Sequence, residues 1–146
     1  MKIWFDMDGT IADLYGVIDW LPMLRAYDPT PYAIAKPLLN LSRLARALNK
    51  LQAKGYEIGV ISWLSRESTT EYDAMVTNAK RFWLTHHMPS VHWNTIHIVE
   101  YGRNKWELAQ EGIIFDDDMR VRNAWGGNAY TPDEIFQILN ELLKAD

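Results

Sequence analysis

The sequence predicts an open α/β sheet, mostly parallel and covered by helices on both faces. Three observations lead there. Short apolar runs alternate with segments of helical periodicity, which is the pattern of parallel crossovers. The runs at Lys2 to Phe5, Tyr56 to Ile61 and Ile113 to Phe115 are nearly continuous in apolar residues, as strands buried on both faces are. Each of these runs also ends in polar residues, at the carboxyl end of a strand, where sheets of this class bind ligands. With 146 residues and 48% hydrophobic composition, the chain suffices for one domain with a sizeable core and is too short for two, so a single active site is expected.

Taken in order, Lys2 to Phe5 is a short strand that empties into Asp6-Met7-Asp8-Gly9-Thr10. Residues 14 to 33 are aromatic and interrupted by Pro22, Pro29 and Pro31, so they read as one short helix and irregular chain outside the sheet. This stretch, extended to at most 14–40, is the candidate for a small lid inserted into a single domain spanning 1–146. From Ala35 to Lys54, the residues Leu41, Leu44, Ala45, Leu48 and Leu51 fall at helical spacing, and Gly55 follows as a stop. Tyr56 to Ile61 is a second strand ending at Ser62, and Ser68 to His87 has helical character. A third strand is expected at Ile96 to Val99, a short helix at Asn104 to Glu111, and a fourth, very short strand at Ile113 to Phe115, followed by Asp116-Asp117-Asp118. A last strand near Asn128 to Tyr130 precedes a helix opened by Pro132-Asp133-Glu134 and running to about Lys144.

Composition narrows the function. A formal charge of −4 without a long run of Lys or Arg gives no global footprint for duplex nucleic acid, although a local pocket can still take a small anion. Cysteine is absent, which excludes thiolate chemistry and disulfides. The N-terminal residues lack the pattern of a signal peptide, and no apolar run approaches membrane-spanning length, so a cytoplasmic protein with no membrane partner is expected.

Four polar elements at strand ends need a common explanation: Asp6 with Asp8, Ser62, Lys105, and Asp116 with Asp117. A carboxylate can attack phosphorus and split one hard displacement into two easier ones through an aspartyl-phosphate. A second acid must then protonate the leaving oxygen and later deprotonate the attacking water, and a spacing of two residues lets Asp6 and Asp8 reach one phosphate from a tight turn. Gly9 suits such a turn, and Thr10 can hold it by hydrogen bonding and is, with Ser62, Trp63 and Arg66, a candidate to bind the substrate. Clustered carboxylates also demand a cation. Oxygen ligands supplied by loops suit Mg²⁺, with Asp6, the backbone carbonyl of Asp8 and Asp117 forming the protein side of its shell and Asp116 beside it. Ser62 can donate to a phosphate oxygen, and Lys105 can neutralise charge on the phosphoryl group and the acids.

The run Ile3-Trp4-Phe5-Asp6-Met7-Asp8-Gly9-Thr10 resembles the first motif of the haloacid dehalogenase superfamily, a hydrophobic strand followed by DxDGT. Ile58-Gly59-Val60-Ile61-Ser62 is similar to its second motif, Lys105 to its third and Ile113-Ile114-Phe115-Asp116-Asp117 to its fourth, in the family's order across most of the chain. The resemblance implies a Rossmann-like core with a small or minimal cap, a phosphoaspartyl intermediate on Asp6, acid/base work by Asp8, and Mg²⁺. An Asp two positions after the nucleophile is the phosphatase pattern and is lacking in the dehalogenases. In finer detail, Asp-Met-Asp-Gly-Thr-Ile-Ala-Asp and the later Phe-Asp-Asp-Asp with Asn123-Ala124-Trp125 resemble the deoxyribonucleotidase and polynucleotide-phosphatase branches. That match implies a nucleotide or a phosphate-ended nucleic acid as substrate, with sugar phosphates and other small phosphomonoesters as the alternative. The triple acid departs from the family and leaves the metal register open by one residue: Asp117 as ligand with Asp116 on Lys105, or the two exchanged, with Asp118 turned away or capping the next helix.

Each remaining residue has a structural reading beside the functional one. Asp13 is expected to cap the following helix, and Arg103 is the alternative to Lys105. Trp4, Trp83, Trp106 and Trp125 read as packing residues, whereas Trp20 and Trp63 lie near the loops of the site and are candidates to line it. Tyr15, Trp20, Tyr27 and Tyr32 are candidates for stacking on a base, and Arg66, four residues beyond Ser62, for a substrate phosphate. The four histidines share no spacing that points to one metal. Two other classes of function compete. A phospho-receiver uses similar residues but carries its acid pair on the first strand and its phosphorylated Asp on the third, which here ends in Glu100-Tyr101-Gly102. A non-catalytic binding protein on the same scaffold has no need of the full set of Asp6, Asp8, Ser62, Lys105 and Asp117.

Overall fold

The computed structural model describes residues 1–145. In chain order the elements are β1 (Lys2–Phe5), β2 (Ala12–Asp13), α1 (Trp20–Arg25), α2 (Thr30–Ile34), β3 (Lys36–Pro37), α3 (Leu41–Ala53), β4 (Glu57–Trp63) and α4 (Thr70–His87). They continue with β5 (Thr95–Val99), α5 (Lys105–Ala109), β6 (Ile113–Phe115), α6 (Met119–Ala124), β7 (Ala129–Tyr130) and α7 (Ile135–Lys144), with 3₁₀ turns at Leu14–Gly16 and Pro132–Glu134.

Five strands form one parallel sheet in the order β5-β4-β1-β6-β7. The central strand β1 is therefore the switch point: the chain leaves it toward β4 and β5 on one side and returns to β6 and β7 on the other. Crevices open at such points beyond the carboxyl ends of the strands. Side chains of β1 alternate across the sheet, as a period of two requires. Ile3 and Phe5 join Leu44, Leu48 and Leu51 of α3 and Ile135 and Leu139 of α7 in the larger core. Trp4 faces the other way and packs with Ile61, Ile114, Val121 and Trp125. Its ring needs the glycine beside it, because a Cβ on the paired Gly59 would fall on the Trp4 ring.

The excursion between β1 and α3 differs from the sequence-based expectation. It holds two short helices and a 3₁₀ turn where one helix was expected, and it is closed by an antiparallel ribbon that pairs Ala12 with Pro37 and Asp13 with Lys36. The helix expected from Ala35 begins only at Leu41, because Pro37 has no N–H for a helical ladder and Asn40 supplies the cap by accepting from Arg43 N–H at 3.0 Å. α4 holds the excursion down: Tyr72 and Val76 pack with Leu14 and Tyr32, Tyr72 Oη donates to the Asp28 carbonyl at 2.9 Å, and Trp83 Nε1 donates to the Ala35 carbonyl at 2.7 Å. Among the described residues, no helix is long and apolar enough to cross a membrane.

Candidate active site

Asp6 is the first residue beyond β1, and its N–H donates to the Phe115 carbonyl at 3.0 Å, so the ends of β1 and β6 are joined at the acid itself. The chain then turns sharply through Gly9, which has φ +79°, a conformation that favours glycine. A side chain there would also collide with the Asp117 carboxylate. The loops after β1 and β6 are thus in contact, and their acids converge.

Lys105, at the start of α5, ties this cluster together. Its Nζ donates to Asp6 Oδ1 at 3.1 Å and to Asp116 Oδ2 at 2.7 Å, and all three side chains are buried. Thr10 Oγ1 donates to Asp6 Oδ2 at 3.0 Å and accepts from the Asp117 N–H at 3.2 Å. Asp116 Oδ1 accepts from the Asp118 N–H at 2.9 Å, while the Asp118 side chain accepts from the Arg120 N–H and so caps α6. Of the three consecutive acids, Asp116 is buried and bonded at both oxygens, Asp117 is exposed, and Asp118 serves a helix end.

The electrostatics follow from this crowding. Burial alone would lower the Lys105 pKa, but the Asp6 and Asp116 carboxylates outweigh it and hold the ammonium above its ordinary value. Burial and then the Asp6 charge push Asp116 up against the pull of Lys105. Asp117, though exposed at the cleft, is raised by partial desolvation of its carboxyl among its neighbours and then by its closeness to Asp6. The Tyr15 phenol, partly desolvated and facing the charges of Asp8 and Asp117, is raised as well.

A second lysine governs the other half of the site. Lys80 Nζ, from the middle of α4, donates to Asp8 Oδ2 at 2.9 Å, to Ser62 Oγ at 2.6 Å and to the Trp63 carbonyl at 2.7 Å. Burial raises the Asp8 pKa, and Lys80 opposes that rise. Sequence reasoning missed this residue. Its signal was its phase, because Lys80 falls on the stripe of Tyr72, Val76, Trp83 and Leu84, the buried face of α4.

Above the acids lies a cleft of about 560 Å³. Asp6, Asp8, Lys105, Asp116 and Asp117 form its floor. One wall comes from the excursion, with Tyr15, Trp20, Leu24, Tyr27 and Tyr32, where Tyr15 and Trp20 meet edge to face at 5.0 Å. The other wall holds Trp63, Arg66, Tyr101 and Arg120. Trp63 and Tyr101 pack at 5.1 Å, and Arg66 lies 5.9 Å from the Tyr101 ring.

The structure therefore gathers Asp6, Asp8, Lys105, Asp116, Asp117, Trp63 and Arg66 around one cleft. Thr10 and Ser62 do not line it. Both hydroxyls are buried beneath the acids, Thr10 bonded to Asp6 and Asp117 and Ser62 to Lys80, because the turn and the helix that carry their partners close over them. Asp13 caps the 3₁₀ turn that follows it, accepting from Gly16 N–H at 3.0 Å. Tyr101, Arg120 and Arg25 join the cleft lining without having been singled out from the sequence. Tyr101 lies in the loop after β5, Arg25 ends α1 and Arg120 lies in the first turn of α6, so their places depend on how these elements are set around the cleft.

The residues present fit a hard divalent cation. Asp6, Asp116 and Asp117 each offer an oxygen within 4.8 Å of the others, all ligands are oxygen, and the exposed Asp117 leaves room for waters.

No family model matches the sequence, and no curated protein matches it. In fold, the chain is similar to a D,D-heptose 1,7-bisphosphate phosphatase from Burkholderia thailandensis, with TM-score 0.55 and 12% identity over 99% of each chain. It is also similar to a chain in the structure of the Pnkp1/Rnl/Hen1 complex, with TM-score 0.56 and 16% identity; the match covers 89% of this chain but only 44% of that one. These likenesses establish a shared fold, the α/β architecture that the sequence predicts.

Proposed function

We propose that this protein is a Mg²⁺-dependent phosphomonoesterase that works through an aspartyl-phosphate on Asp6. The observation that carries this reading is the convergence of Asp6, Asp8, Asp117 and the Lys105–Asp116 pair on one open cleft at the switch point of the sheet. A phosphatase that shares the fold over nearly its whole length supports it.

A carboxylate oxygen of Asp6 attacks phosphorus as the bond to the leaving oxygen breaks, and Asp8 gives its proton to that oxygen. Asp8 then takes a proton from the water that cleaves the acyl phosphate, which restores Asp6. Lys105 holds Asp6 in place and offsets the negative charge of the cluster. Asp6, Asp117 and the Asp8 carbonyl would hold Mg²⁺, which when bound neutralises phosphate charge in the closed cluster. Asp117 suits direct ligation better than Asp116, whose two oxygens are already bonded to Lys105 and the Asp118 N–H.

The substrate we infer is a nucleotide or a phosphate-ended nucleic acid. Trp20 and Tyr27 on one wall, and Trp63 on the other, flank the acids with aromatic surface on which a base can stack, whereas Tyr32, a stacking candidate from the sequence, is buried against α4; Arg66 offers a cation to a substrate phosphate. The test is phosphate release with Mg²⁺ from a nucleoside monophosphate, from the ribose phosphate lacking the base, and from a phosphate-ended oligonucleotide, each repeated in excess chelator. Chelation is expected to stop turnover and Mg²⁺ to restore it. The base is expected to raise kcat/KM in wild type and less so in Trp20→Ala. If the base gives no gain in wild type, a sugar phosphate or other small phosphomonoester replaces the nucleotide.

A further inference from the structure

We infer that Lys80 is the positioning residue of the acid/base half of the site, orienting Asp8 and Ser62 together. This rests on the phosphatase reading above, and it assigns a role to a side chain that lies outside the cleft and outside all four motifs.

A lysine ammonium carries three hydrogens and no lone pair. Lys80 has three acceptors in reach, Asp8 Oδ2, Ser62 Oγ and the Trp63 carbonyl, at 2.9, 2.6 and 2.7 Å, so every donor is used. Its side chain is only 1% exposed, and the Tyr32 ring lies 5.0 Å away. Buried lysines are rare unless paired, because an ammonium out of water must recover its solvation from protein groups. Here that need fixes the geometry of everything it touches.

Two consequences follow for the chemistry. Asp8 is tethered through Oδ2, while Oδ1 has no hydrogen-bond partner among the described residues and Asp8 lines the cleft. The carboxyl therefore presents one chosen oxygen to the leaving group. Ser62 Oγ must accept from Lys80, so its own hydrogen is left free for another acceptor, and the hydroxyl is held as a donor. Lys105 donates its hydrogen bonds to Asp6 and Asp116, and Lys80 donates to Asp8, Ser62 and the Trp63 carbonyl, with no acceptor shared between the two lysines among the described residues. The site thus has two lysines with separate duties, one for the attacking carboxylate and one for the proton-transferring carboxylate.

The experiment measures kcat/KM over a series of phosphomonoesters from an alkyl phosphate to 2,4-dinitrophenyl phosphate, with Mg²⁺ present, in wild type, Lys80→Met, Asp8→Asn and the double variant. Because kcat/KM reports formation of the phosphoenzyme, a misplaced acid hurts only poor leaving groups. Lys80→Met is expected to lose about 10²-fold with the alkyl ester and less than about 5-fold with the dinitrophenyl ester. The double variant is expected to lose no more than Asp8→Asn alone, since the two residues act as one unit. A purely structural lysine would instead depress all esters alike, and uniform loss, or loss that adds to that of Asp8→Asn, overturns the proposal. If Lys80→Met does not fold by its thermal transition, Lys80→Arg decides. It keeps the charge on the α4 stripe but spreads its donors over a plane, so the same leaving-group-selective loss is expected in smaller degree, and the wild-type dependence on leaving group overturns the role. Wild type that releases phosphate from no ester defeats the phosphatase reading itself, whereas wild-type turnover with uniform loss in the variants defeats the role of Lys80 alone.

Discussion

The floor of the cleft and the wall above it are built on opposite terms. On the floor, Asp6, Asp116 and Lys105 are nearly inaccessible and Lys105 donates to both acids, so a shift in any member leaves a charge without its partner. The wall formed by the excursion carries Tyr15, Leu21 and Tyr27 at 52%, 38% and 47% exposure, and it is fastened by apolar contact with α4 and a few hydrogen bonds to its backbone. The floor fixes a chemistry that does not depend on which ester arrives. The wall can change its side chains with little cost to the fold, and it is there that preference for one ester over another is expected to reside.

The largest test of this contrast is on the floor. Asp6→Asn is nearly isosteric but cannot attack phosphorus, so phosphate release should fall by about 10³-fold or more while thermal unfolding stays near that of wild type. Activity close to wild type in a folded Asp6→Asn protein would take the nucleophile away from Asp6.

Next comes the fastening of the wall. Trp83→Ala removes a fully buried ring and leaves the Ala35 carbonyl without its donor, so chemical denaturation should show a loss of about 3–5 kcal/mol. The exposed Tyr27→Ala should stay within about 0.5 kcal/mol of wild type. Equal losses in the two variants would mean that the wall is as tightly integrated as the core, and the contrast would fail.

The smallest effect sharpens the floor itself. Asp117→Asn should weaken apparent Mg²⁺ affinity by about 10-fold or more, judged against the losses seen when even indirect supports of a metal are removed. Asp118→Asn should leave it nearly unchanged, because Asp118 is occupied with the end of α6 and with Arg120. Titration of Mg²⁺ against phosphate release reads both, and the reverse ranking would move the ligand by one position along the chain.

The floor was legible in the sequence for a physical reason: strand ends are dictated by local apolar runs, and parallel strands must bring their carboxyl ends to one edge. Hence the sequence alone leads one to expect Asp6, Lys105 and Asp116 to meet, and the strands at Lys2–Phe5 and Ile113–Phe115 lie where the apolar runs predict them. Lys80 was obscure because its importance comes from tertiary contact. Its chain position is ordinary, and only its place on the apolar stripe of α4 hinted that it is buried. Ser62 and Thr10 show the converse limit. The sequence placed them at the right strand end and in the right turn, yet which way a small hydroxyl faces is decided by neighbours that are distant along the chain, Lys80 and Asp117. The excursion was the least legible part, since its prolines break periodicity and its closure depends on a two-residue pairing too short to leave a pattern.

That pairing of Ala12 with Pro37 and Asp13 with Lys36 has a consequence for how such a protein can vary. It brings the two ends of the wall side by side just beyond the turn that follows β1, so the segment between them is a cassette whose length and content are uncoupled from the floor. The entropy of closing such a segment grows only slowly, by about 0.6 kcal/mol for each doubling of its length. A longer or differently folded insert could therefore be spliced between β2 and β3 while Asp6 and Asp8, a few residues upstream, keep their places, which makes this clasp the natural joint for exchanging one substrate range for another.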